Sequence, residues 1–144
     1  MSRRDGNVLA FDFGLKHIGV AVATTLTGTA RGLTTLAAKS GKPQWREIAA
    51  LVADYDPVLI VVGRPLNMDG TPFDMTDRAA AFAEGLGRRY NVDVASWDER
   101  LTSKEAAWER DAGRRDGRGK TDHEHAACLI AESYLRATPQ RPSN

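Results

Sequence analysis

Three short segments place acids where structural elements begin or end. Asp12 lies in "NVLAFDFG", Asp98 and Glu99 lie in "SWDER", and Asp122 and Glu124 flank His123 in "KTDHEHAACLIAESYL". Asp12 sits inside the most apolar run of the chain, where an ionised carboxylate is costly unless something pairs with it. The partner is a lysine or arginine, a set of backbone donors or a metal; a structural aspartate bonded to the turn at Phe13 and Gly14 is the alternative. Asp98 and Glu99 close another strand, where a turn acid and an ion pair with Arg100 would also account for them. Hard divalent cations such as magnesium take several oxygen ligands and keep some of their waters. Two such ions held by three or four carboxylates activate a water and stabilise the leaving oxygen of a phosphodiester. These acids are far apart in sequence, so only a fold can join them.

The elements that must position them are legible from hydrophobic period. "NVLAFDFG" (7–14) reads as a strand buried on both faces, and "HIGVAVATT" (17–25) as a second strand forming a hairpin with it. "TARGLTTLA" (29–37) is a weaker third strand, after which "SGKP" (40–43) breaks the pattern. Trp45, Ile48, Ala49, Val52 and Tyr55 share one helical stripe, as do Met75, Ala79, Phe82, Leu86 and Tyr90 between Asp74 and Tyr90. "PVLIVVG" (57–63) is an apolar central strand, and "VDVASWD" (92–98) alternates as a strand. "RPLNMDGTP" (64–72) is a loop by its Pro, Asn and Gly content. Thr102 and Glu105 have capping-box spacing and open a helix. The order predicts an α/β domain with a mixed five-stranded sheet: a three-stranded antiparallel meander, then parallel strands joined by right-handed crossovers, with helices on both faces.

The last helix starts at the acidic triplet. Thr121 and Glu124 also have capping-box spacing, which accounts for Glu124. Asp122 suits the positive end of the helix dipole, worth roughly 0.3–1 kcal/mol. Neither argument explains His123, since a cation is unfavourable there. His123 shares a stripe with Ala127, Ile130, Ala131 and Tyr134, which should face the sheet. Imidazole is a good ligand for manganese and softer metals and a usable proton carrier; a half-buried histidine bonded to a backbone carbonyl is the alternative.

Composition sets the outer bounds. The chain has 144 residues, 42% of them hydrophobic, which fits one domain (1–144) with a proper core. A formal net charge of +1 neither demands nor excludes a nucleic-acid partner. The single Cys128 lies in an apolar helical run and reads as a buried, inert thiol. The N-terminal apolar stretch is too short for a signal peptide or a spanning helix, so a cytoplasmic protein without membrane association is expected. Residues 1–6 and 137–144 are expected to be flexible, and "RDAGRRDGRGK" (110–120) to be a mobile basic loop.

Four stretches together resemble the YqgF family, also called RuvX: "LAFDFGLKHIGVAVA" (9–23), "IVVGRPLNMDGT" (60–71), "WDERLTSKEA" (97–106) and "GKTDHEHAACLIAESYL" (119–135). These are Holliday-junction resolvase-like proteins, described as pre-16S rRNA nucleases with a ribonuclease-H-like fold. The likeness runs from about Val8 to Leu135. It implies a metal-dependent endonuclease using Mg2+ or Mn2+, with Asp12 as the first catalytic acid and Glu99 as the second, both metal ligands. The implied partner is pre-16S rRNA, cut at its 5′ end; a branched-DNA resolvase, which needs paired sites and so self-association, and a catalytically silent RNA-binding relative are the alternatives. Nucleotide binding of the actin and sugar-kinase type is a more distant one, because this chain has a single such domain and lacks a second "DxG" segment.

The sequence departs from the family at three places. Its usual aspartate three residues before the helix's "AA" pair is His123 here, which leaves His123 or the adjacent Asp122 as the third ligand. Leu15 replaces a small hydroxylated residue, and Arg64 replaces an apolar one. Beside a nuclease site, Arg114, Arg115, Arg118 and Lys120 would meet phosphates, which gives salt-sensitive affinity without sequence readout. Arg64, Asn67 and Asp69 are either further substrate contacts or turn chemistry.

Overall fold

The computed structural model describes residues 5–100 and 122–138. Its strands are β1 (Asn7–Asp12), β2 (His17–Thr24), β3 (Ala30–Lys39), β4 (Lys42–Pro43), β5 (Leu59–Arg64) and β6 (Val94–Asp98). Its helices are α1 (Trp45–Tyr55), α2 (Asp74–Tyr90) and α3 (Asp122–Ala137). The sheet order is β4-β3-β2-β1-β5-β6. β1 to β4 run antiparallel to one another in turn, whereas β5 and β6 run parallel to β1.

The sheet has six strands rather than the expected five. Ser40 and Gly41 both take positive φ (52° and 81°), and this tight turn lets Lys42 and Pro43 pair back onto Lys39 and Ala38. Proline is tolerated there because the strand is an edge, where its missing N–H breaks no ladder. The expected helix from Thr102 and the basic segment 110–120 lie outside the described residues, as do Thr121 and most of the tail. At the other end, Gly6 exchanges hydrogen bonds with Thr25, which extends the β1–β2 pairing by one residue.

β1 is the axis of the core, and alternation along it sorts the two faces. Leu9 and Phe11 pack with Ile48 of α1 and Phe82 and Leu86 of α2. Val8 and Ala10 pack with Ile130, Ala131 and Leu135 of α3 on the opposite face. Helices therefore cover both sides of the sheet, and a strand buried on both faces must be a continuous apolar run. Small residues at Ala10, Ala21 and Ala127 let α3 approach closely, and Cys128 is buried among them as a free thiol. Side-chain bonds pin the helix at two further points: Glu132 accepts from the Ala30 amide at 2.8 Å, and the Trp97 indole donates to Ser133 at 3.0 Å. None of the described helices is long and apolar enough to cross a membrane.

Candidate active site

The face of the sheet under α3 ends in a row of residues that organises everything polar nearby. Asp12 continues the Val8 and Ala10 alternation onto that face. Its partner on β2 is Gly19, which pairs in turn with Thr35 on β3. On the other side, one step beyond the Phe11–Val62 pair, stands Gly63, whose β6 partner is Trp97. The two glycines leave room that nothing larger would. A Cβ on Gly19 would lie 2.0 Å from the carbonyl oxygen of His123, and one on Gly63 would lie 2.9 Å from Cγ of Glu99. Glycine inside a strand marks close approach of another group. Here it seats the start of α3 on one side of Asp12 and the Glu99 side chain on the other.

Glu99 arrives by continuing the β5–β6 ladder, its amide donating to the Arg64 carbonyl at 3.0 Å. Its carboxyl and that of Asp12 are hydrogen-bonded to each other, so the pair shares a proton. Burial, then the negative charge and hydrogen bond of Asp12, push the Glu99 carboxyl up to about 8. Burial also raises Asp12, against the opposing pull of the Glu99 hydrogen bond and the charge of His123. Two carboxyls this close resist ionising together, so below about pH 8 it is Glu99 that keeps the proton.

At the third site the structure separates the three candidates. His123 faces the sheet beside Asp12, as its helical stripe predicts, and its ring stacks on His17 with centroids 4.8 Å apart and planes 23° from parallel. Asp122 is exposed. Glu124 turns toward β3, where its side chain packs over Gly32 and its Oε2 accepts from the Thr35 hydroxyl at 3.5 Å. Sequence reasoning finds the strand that carries His17 but not the role of the residue. Its partner in the stack is distant in the chain, and no local pattern links the two.

The loop between β5 and α2 is tied to the same place. Arg100 grips Asp98 with both Nε and Nη2, at 3.1 and 2.7 Å, and donates from Nη1 to the Met68 carbonyl at 3.2 Å. The expected Asp98–Arg100 ion pair is thus present, and it also holds the loop. The guanidinium keeps the Asp98 carboxyl below the usual carboxylate range. Within the loop, Asn67 and Asp69 both bond Thr71, and the Asn67 and Gly70 backbones close a turn. Thr76 anchors the loop from α2, donating to the Pro65 carbonyl and accepting from the Phe73 amide. Arg64 is exposed at the end of β5. Arg114, Arg115, Arg118 and Lys120 lie outside the described residues.

The donor set suits a divalent cation. Two adjacent carboxyl groups that share a proton offer hard oxygen ligands which a cation would ionise together, and an imidazole stands alongside. Among the described residues no group of three or more His, Cys, Asp or Glu already converges as a metal cage.

The chain is 47% identical over 131 residues to a protein of Pseudomonas fluorescens (strain SBW25) named "Putative pre-16S rRNA nuclease", covering 89% of this chain and 90% of that one. A protein of the same name from Glaesserella parasuis serovar 5 (strain SH0165) is 48% identical over 131 residues, covering 89% and 94%. The fold is similar to that of Thermus thermophilus RuvC in complex with a Holliday junction substrate (TM-score 0.61, 16% identity, 96% of this chain and 99% of that one). It is also similar to the fowlpox virus Holliday junction resolvase (TM-score 0.56, 15% identity, 92% and 99%). The fold is therefore that of the ribonuclease-H-like resolvases. A family model for RuvX, Holliday junction resolvase, matches residues 6–137. The chain accordingly belongs to the RuvX family and is a nuclease by that membership.

Proposed function

We propose that this nuclease is a metal-dependent endonuclease of structured nucleic acid that uses Mg2+ or Mn2+ and processes the 5′ end of pre-16S rRNA in the cytoplasm. The observation that carries the reading is the proton-sharing Asp12–Glu99 pair, set between Gly19 and Gly63 at the end of the sheet. Asp12 and Glu99 would hold the cation through their carboxylate oxygens, and a cation bound there would polarise the scissile phosphate and make an attacking water more acidic. His123 stands next to Asp12 as third ligand or proton carrier, with Asp122 reaching the site through water. Arg64 and Asn67, with Arg114, Arg115, Arg118 and Lys120, hold substrate phosphates and so position the backbone without reading sequence.

The substrate follows the naming of the relatives, whereas the similarity to RuvC bound to a Holliday junction favours a second reading, resolution of four-way DNA. That reading requires two copies of the chain acting on one junction. Cleavage of a pre-16S rRNA fragment and of a four-way junction, each with Mg2+ and with Mn2+, separates the two. The rRNA reading predicts faster cutting of the RNA. Loss of cutting in both His123→Ala and Asp122→Asn assigns both residues to the site, whereas wild-type rates in both remove the third-ligand assignment. No cleavage by the unmodified chain with either metal would favour a silent RNA-binding relative.

A further inference from the structure

The proposed chemistry uses the His17–His123 stack only through His123. The backbone around the stack is closely packed. Gly14 makes the turn before β2 so tight that a Cβ there would meet the His17 carbonyl at 2.4 Å. The same turn is bonded to the sheet edge: the Gly41 amide donates to the Leu15 carbonyl and the Ala38 amide to the Lys16 carbonyl, both at 2.9 Å. From below, His123 is fixed by the seating of its carbonyl over Gly19. His17 itself is exposed, and so are its neighbours Leu15 and Lys16. One face of the His17 ring is thus backed by a second ring, while the residue remains open to solvent. It stands two positions along β2 from Gly19, the strand partner of Asp12.

An exposed ring backed by another, beside a pair of nuclease carboxyls and a lysine, has the chemistry of a stacking platform. Unpaired bases stack on aromatic side chains, histidine among them, and such stacking tolerates any base because every base has a π-face. We propose that His17 is a nucleobase-stacking residue, taking one unpaired base next to the scissile phosphate, with His123 as the support behind its ring. The inference deepens the nuclease reading and rests on it for the position of the base. It requires a substrate with at least one unstacked nucleotide at the cut.

The test measures binding in the absence of metal, with a short single-stranded RNA carrying 2-aminopurine and the same RNA with an abasic nucleotide in its place. Loss of one stacked base weakens binding by about 5- to 150-fold. The unmodified chain and His17→Phe are expected to prefer the base-bearing RNA by a factor in that range and to quench its fluorescence. His17→Ala is expected to bind both RNAs alike. A base preference that survives in His17→Ala overturns the proposal. So does a His17→Phe variant that behaves like His17→Ala, since the imidazole would then act through hydrogen bonding rather than stacking. Failure of the unmodified chain to distinguish the two RNAs, or to bind either, overturns it as well. Base-dependent binding by a chain that cuts neither RNA nor a four-way junction once Mg2+ or Mn2+ is added would count against the nuclease reading alone.

Discussion

Glu99 and Asp12 show how surroundings change the protonation of two ordinary acids. Glu99 holds its proton up to about 8 because burial and the adjacent Asp12 penalise its charge. An unfolded chain gives up that proton near the ordinary glutamate value, about 4.3. Between those two values the folded state binds more protons than the unfolded state, so stability falls as pH rises. The stabilisation from protonated Glu99 is complete below the unfolded value and lost by the time pH passes the folded one. We therefore expect the melting temperature of the metal-free protein to decline from about pH 5 to about pH 8, and Glu99→Gln to flatten that decline. A bound divalent cation competes with the proton, so Mn2+ should raise the melting temperature more at about pH 8 than at about pH 6. Calorimetry across this range checks both signs. The same scale explains why His123 resists a sequence-level account. Helix capping and the dipole concern its own turn, but its ring is placed by His17 and its backbone by Gly19.

At the level of elements, the site is a consequence of two glycines in strands. Gly63→Ala would push against Glu99 Cγ and the terminal methyl of Ile130, at 2.9 and 2.6 Å. Ile130 can rotate away, whereas Glu99 cannot do so and keep its bond to Asp12. We expect Gly63→Ala to cost about 1–3 kcal/mol of stability, but to lower cleavage about a hundredfold through misplacement of Glu99. Gly19→Ala meets a backbone carbonyl, which has no rotamer to adopt, so it should destabilise the fold more; denaturant unfolding of both variants checks the order. Arg100→Ala should release the 65–72 loop from Asp98, detectable as faster proteolysis within that loop while the melting temperature changes little. Much of this scaffold is legible in the sequence. "NVLAFD" and "LIVVG" have to be central strands because they are apolar without alternation, and the stripe from Asp74 to Tyr90 bounds its helix correctly. The short β4 is hidden because its pairing depends on a turn rather than on hydrophobic pattern. Gly19 and Gly63 are invisible as site residues because what each accommodates, His123 for one and Glu99 for the other, comes from a distant part of the chain.

Across the whole molecule, one sheet carries α1 and α2 on one face and α3 on the other, and brings Asp12 of β1, Glu99 after β6 and His123 of α3 to the same end of its central strands. The likeness to RuvC at 16% identity shows that this architecture outlasts most of its sequence. With a net charge of +1, nucleic-acid affinity has to come from local basic groups rather than bulk attraction. Replacing Arg114, Arg115, Arg118 and Lys120 by alanine should weaken RNA binding. It should also lower the slope of log affinity against log salt by about 0.7–0.9 for each phosphate no longer neutralised. An unchanged slope would remove that segment from the interface. The most direct test of a metal-holding Asp12–Glu99 pair is the rate at which Asp12→Asn cleaves a pre-16S rRNA fragment in Mg2+ or Mn2+, set beside the unmodified chain. Such a pair predicts a fall of more than about a hundredfold with the melting temperature preserved. Cleavage at the unmodified rate would contradict it.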